Sequence, residues 1–128
     1  ISVEKFRVIR DKAKEENLYQ HLVDTYNTKV PYQIVHNQSS YGKVSLKTNE
    51  ELSTIFIEKE TDLYKNIFLY LKVIENATEI HCLDSSFLHL VERVKTDAKL
   101  FFHNIKKDGQ KGAEVHLIKN WRIINYIK

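Results

Sequence analysis

A chain of 128 residues has room for one domain with a real hydrophobic core and too little for two. Hydrophobic residues at 42% and charged residues at 29% exclude a disordered chain, and 20 Lys+Arg against 17 Asp+Glu, a net charge of only +3, disfavour a polycationic surface for nucleic acid. A single cysteine, Cys82, excludes an internal disulfide and suits a reducing, cytoplasmic setting, and no run approaches the roughly 18 apolar residues of a membrane span. The chain begins at Ile1 and contains no methionine, so it is expected to be a piece of something longer.

Residues 2–25 carry one helical pattern, with Ser2 available as the cap and Phe6, Ile9, Ala13, Leu18, Leu22 and Val23 recurring among charged residues. Pro31 ends any continuation, and YQIVHN, residues 32–37, reads as a first strand. The following QSSYGKVSLKTN is polar and turn-rich around Gly42, with a short edge strand expected at 44–46. STIFIEK, residues 53–59, has the β-branched and aromatic content of a second core strand, and its apolar triplet predicts burial on both faces.

From Thr61 the period becomes helical: Leu63, Ile67, Leu71 and Ile74 share a face, Thr61 or Asp62 can cap, and the helix should end near Asn76. TEIHCL, residues 78–83, is the third strand. Ser85 then opens a helix whose Phe87, Leu88, Val91 and Val94 face inward, and AKLFFH, residues 98–103, is the fourth strand. A lysine-rich loop with Gly109 and Gly112 follows, and EVHLIK and WRIINYI read as further short strands of unreadable direction. Strands alternating with helices at this spacing need crossovers, which predicts a single α/β domain with a Rossmann-like, mostly parallel sheet flanked by helices.

In open parallel sheets ligands bind outside the carboxyl ends of the strands. The four core runs empty there into His36-Asn37, Glu58-Lys59, Asp84-Ser85-Ser86 and His103-Asn104, whereas their starts are poorer in polar groups. Loops are polar in any protein, so this pattern alone leaves two readings open. The helix opening at Ser85 has the same ambiguity. Its free N–H groups and dipole suit a phosphate, with Ser85 and Ser86 adding donors, and plain N-capping by Asp84 or Ser85 explains the same residues. No glycine-rich phosphate loop precedes a helix and the chain has only 3 glycines, so nicotinamide, flavin and P-loop cofactors are disfavoured and no cofactor is expected.

ENATEIHCLDSSFLHLVERV followed by AKLFFH resembles the second half of a group of glycosyltransferases of polysaccharide and glycan biosynthesis, those with two Rossmann domains in a GT-B-like arrangement. FRVIRDKAKEENLYQHLV with PYQIVHN resembles the helix and strand that begin their donor-binding half, and the likeness runs in order over roughly residues 6–103. It implies that Ser85 and Ser86 contact the diphosphate of a nucleotide-sugar donor. It places His36 and Asn37 in the same cleft and Glu58 on the nucleoside. It also implies a glycan acceptor and a preceding domain outside this sequence, so catalysis by this piece alone is not expected.

Of the six histidines, His21, His36, His81, His89, His103 and His116, none falls into H-x-x-x-H or a cysteine-bearing zinc spacing, so no metal is expected. His81, mid-strand, reads as a hydrogen-bonded core histidine and Cys82 as packing. His36 and His103 are expected to end neighbouring strands, close enough to touch, and either is a candidate acid or base, with His36 the catalytic candidate and Asn37, Glu58, Asp84, Ser85, Ser86 and His103 the donor-binding ones. The competing reading is a non-catalytic α/β module that binds a protein or a small anion. A phospholipase-D-like nuclease ranks last, because HLIK spaces histidine and lysine one residue too far for that family's H-x-K.

Overall fold

The computed structural model describes residues 10–39, 42–105 and 117–126. Five parallel strands form the main sheet: β1 (Tyr32–His36), β4 (Ser53–Phe56), β5 (Glu79–Cys82), β6 (Lys99–Asn104) and β7 (Trp121–Asn125), in the order β4-β1-β5-β6-β7. Two short strands, β2 (Gln38–Ser39) and β3 (Gly42–Lys43), pair in an antiparallel hairpin after β1. Helices α1 (Lys12–Thr25), α2 (Leu71–Glu75) and α3 (Ser86–Arg93) flank the sheet. The Rossmann-like α/β reading of the sequence therefore holds, and β7 joins with the same direction as its neighbour.

The alternation of side chains along each strand gives the sheet two unlike faces. Tyr32 and Ile34 of β1, Ile80 and Cys82 of β5, Leu100 and Phe102 of β6 and Trp121 of β7 share one of them. All are buried, and the helices supply the facing layer through Leu18, Leu22, Val73, Ile74, Phe87, Leu88 and Val91. Cys82 is fully buried, as its strand context predicts. The opposite face carries Gln33, Val35, Glu79, His81, Phe101 and His103. The crossover 44–52 from β3 to β4 lies on this face, where Gln33 Nε2 donates to Asn49 C=O at 2.7 Å and Asn49 Nδ2 to Glu79 at 3.3 Å.

Several expected elements are displaced. The first helix is capped by Asp11, whose carboxylate accepts from Lys14 N–H, and a cap at Ser2 lies outside the described residues. The helix expected over 61–76 breaks into 3-10 turns at Lys59–Thr61 and Ile67–Tyr70 before α2. Lys65 is left-handed (φ 54°), a conformation no continuous α-helix admits, and Asn66 caps a new turn by accepting from Phe68 N–H at 3.0 Å. Leu63, read as part of one apolar stripe, is 48% exposed. Residues 44–46 form no strand. β4 is an edge strand in which only Ile55 is buried, so burial on both faces was the wrong inference from its apolar triplet.

Candidate functional site

Numbering only the sheet strands along the chain, the order across the sheet is 2-1-3-4-5. In such a sheet the connections leaving the first and third strands cross opposite faces, so their loops diverge and open a crevice at the carboxyl edge, the usual ligand position in open α/β folds. Here those strands are β1 and β5, paired side by side with His36 opposite Cys82. Leu83 N–H donates to His36 C=O at 3.3 Å, which carries the pairing one residue beyond the strands. His36 and Asn37 leave one side of the reversal point, and Asp84, Ser85 and Ser86 leave the other.

The local chemistry of Ser85 explains why a strand becomes a helix there. Ser85 is extended (φ −166°, ψ 168°), its Oγ accepts from Leu88 N–H at 3.2 Å and donates to Leu83 C=O at 3.2 Å, and its carbonyl accepts from His89 N–H. Its hydroxyl is spent inside the turn, so Ser85 is a cap and contributes no free donor. Ser86, the first helical residue, is exposed. The amides of Ser86 and Phe87 belong to the first turn, where the helix supplies no carbonyl partner and the dipole is positive. Phe87 fixes that turn to the end of β1: its buried ring stacks on His36 at 5.8 Å and 9° and meets Tyr70 edge-on at 6.0 Å.

His36 is half-buried, and burial pushes its imidazole below the usual range, so the ring is neutral at pH 7. Its Nδ1 and the Oδ1 of Asn37 are enclosed without hydrogen-bond partners. Asn37 is held by its backbone, whose carbonyl accepts from Val44 N–H at 2.8 Å. Asp84 is exposed, with its carboxylate 3.9 Å from His89 Nε2. That carboxylate works against a free anion at the mouth and offers an acceptor to hydroxyl groups.

Two candidates lie elsewhere. Glu58 follows β4, on the far side of β1, where one oxygen pairs with Lys43 Nζ at 2.7 Å and the other accepts from the Tyr26 hydroxyl. Lys43 first and Tyr26 next hold its carboxyl below the usual range, against a smaller effect of burial. His103 is buried on the polar sheet face, and the expected contact with His36 fails because β5 separates β1 from β6. Its Nε2 meets His81 Nδ1 at 2.8 Å and its Nδ1 meets the Tyr126 hydroxyl at 2.6 Å, while His81 Nε2 meets Glu79 Oε1 at 3.1 Å. His81 is thus the hydrogen-bonded core histidine the sequence suggested. The row itself escaped the sequence, because its members come from three strand regions whose adjacency no spacing encodes.

An open hollow of about 870 Å³ also lies at the opposite edge of the sheet, at the amino-terminal ends of β5, β6 and β7, lined by Glu79, Lys99, Phe101, Trp121 and Arg122 among others. It lacks a helix N-terminus and sits at the edge where parallel sheets do not gather ligands, so the carboxyl edge is the stronger candidate. Among the described residues no group of three or more His, Cys, Asp or Glu side chains is arranged to hold a metal, and no helix is long and apolar enough to cross a membrane. No family model, no curated protein and no solved structure matches the chain.

Proposed function

We propose that the chain binds a nucleotide-sugar diphosphate at the carboxyl edge of its sheet, as the donor-binding half of a GT-B-like glycosyltransferase acting on a glycan acceptor. The observation that carries this reading is the strand-order reversal between β1 and β5, which brings His36 and Asn37 beside the first turn of α3. The sequence resemblance points to the same residues. In this reading the amides of Ser86 and Phe87 receive diphosphate oxygens, Ser86 adds its hydroxyl, and Ser85 serves by holding the turn. Asp84 accepts from hydroxyls of the ribose or the sugar. Charge that develops on the leaving diphosphate meets a dipole already aimed at it, which lowers the barrier without reorganisation. His36, neutral and backed by Phe87, is positioned to take or hold a proton at the same edge.

The capture of Glu58 and His103 by internal partners favours a second reading, a non-catalytic α/β module for a small anion, because fewer acid–base groups remain free. Calorimetry with UDP, GDP and CMP separates the readings from a chain with no ligand at this edge. Saturable binding of one nucleotide that Ser86→Glu reduces at least about tenfold supports the site, since a carboxylate there repels phosphate yet suits the first turn of the helix. Absence of binding to all three, with the chain folded, refutes it. Transfer or hydrolysis of the corresponding nucleotide-sugar by a longer chain then distinguishes enzyme from module.

A further inference from the structure

The buried row Glu79, His81, His103 and Tyr126 takes no part in the binding proposal, and its hydrogen bonds have a fixed direction. A carboxylate can only accept, so His81 donates through Nε2–H to Glu79 Oε1. Neutral His81 then accepts at Nδ1 from His103 Nε2–H, neutral His103 accepts at Nδ1 from the Tyr126 hydroxyl, and the Tyr126 oxygen accepts from Lys47 N–H at 2.6 Å. Every donor points toward Glu79. The rings cannot turn to escape this order: His81 is stacked on Phe101 at 4.5 Å and 6°, and His81 and His103 are only 2% and 1% exposed.

We infer that this row is a one-proton tautomer switch that turns the Tyr126 hydroxyl from His103 toward solvent. A proton entering at His103 Nδ1 forms an N–H bond there, and the Nε2–H proton of His103 passes to His81 Nδ1. His81 becomes an imidazolium between Glu79 and His103. His103 ends neutral with its proton on Nδ1, donating to the Tyr126 oxygen, so the hydroxyl hydrogen must leave that contact. One proton is gained, and no heavy atom in the row has to move. Tyr126 is half-buried, which gives its hydroxyl a route to water.

The surrounding groups set where uptake occurs. Glu79 favours it. On the neighbouring elements Lys99 of β6 stands opposite Glu79, Arg122 of β7 lies 5.8 Å from the Phe101 ring, and Lys47 of the crossover lies 5.5 Å from the Tyr126 ring, three cations that oppose it. Gln33 and Asn49 approach from β1 and the crossover as neutral groups. Burial pushes both imidazoles below the usual range, and burial with the facing His81 takes His103 down to about 4. Uptake therefore falls on the acid side.

The test is long-range proton–nitrogen NMR of the histidine-labelled chain, titrated from neutral pH down to about pH 4. Both His81 and His103 should carry Nε2–H at neutral pH. Acidification should convert His103 to the Nδ1–H tautomer in the same step that makes His81 an imidazolium. Glu79→Gln, which keeps an acceptor oxygen and removes the charge, should lower the midpoint by about one pH unit or more. If that variant fails to fold, the spectra of the unchanged chain decide alone. A His103 that keeps Nε2–H throughout, or two rings that titrate independently, or an unmoved midpoint in a folded Glu79→Gln, overturns the switch.

Discussion

Replacing Glu92 by glutamine should weaken the fold more than a surface exchange of two isosteric side chains would suggest. Glu92 lies in the last turn of α3, is 3% exposed, and accepts from the backbone N–H of Ile118, from Lys119 N–H at 2.9 Å and from Trp121 Nε1 at 2.8 Å. These bonds fix the segment entering β7, and Lys119 Nζ adds a bond to Val94 C=O. Burial alone would raise the Glu92 carboxyl, but the indole and the two amides outweigh it and hold the group below the usual range. Glutamine can leave its oxygen with Lys119 and Trp121, yet its amide then faces the Ile118 N–H, donor against donor. That mismatch costs about 1–3 kcal/mol, and alanine, which strands three donors, about 3–5 kcal/mol. Because the folded carboxyl is depressed, its contribution is complete above the unfolded value of about 4.3 and is lost as pH falls through the folded value. Urea unfolding followed by circular dichroism should therefore show wild type and Glu92→Gln well apart at pH 7 and converging toward strong acid. A glutamine variant within about 0.5 kcal/mol of wild type at pH 7 refutes the clamp.

Ser85→Ala should cost about 1 kcal/mol in the same assay and Ser86→Ala close to nothing, since only the Ser85 hydroxyl caps α3; equal costs would remove the distinction between cap and free donor. Burial lowers both imidazoles of the row, His103 with the facing His81 to about 4, so the unfolded chain binds these protons first as pH drops. Stability present above the unfolded value of about 6.5 should then decline by roughly 2–3 kcal/mol down to the folded value, and a folded His103→Gln should show a flatter profile over that window. A wild-type stability that is level from pH 7 to about pH 4.5 contradicts the burial of a neutral His103.

The parts of the fold written in local pattern were legible. The runs at 32–35, 79–82 and 99–102 are strands because their alternate apolar residues, Tyr32 and Ile34, Ile80 and Cys82, Leu100 and Phe102, cover the face packed by the helices, and the change of period at Ser85 marks a helix because its hydroxyl caps it. Asp84-Ser85-Ser86 and His36-Asn37 follow paired neighbouring strands at the edge that the topology rule selects. What local pattern does not encode is which strands are neighbours. His36 and His103 end the first and fourth strands read from the sequence and are expected there to be neighbours, yet β5 lies between β1 and β6 and assigns one to the carboxyl edge and the other to a buried row. Glu58 illustrates the same limit, since its partners Tyr26 and Lys43 come from the end of α1 and from the hairpin. The helix read from Thr61 failed at Lys65 and Asn66, where a left-handed residue and a side-chain cap restart the chain within an otherwise periodic stretch.

The most direct test of the binding site is residue-resolved amide NMR of the chain during addition of UDP. The account predicts saturable shifts concentrated at Asn37 and at Asp84, Ser85, Ser86 and Phe87, with little change at Lys99, Asn120 and Arg122 around the opposite hollow. Shifts confined to that hollow, or a spectrum unmoved by the nucleotide, would contradict it.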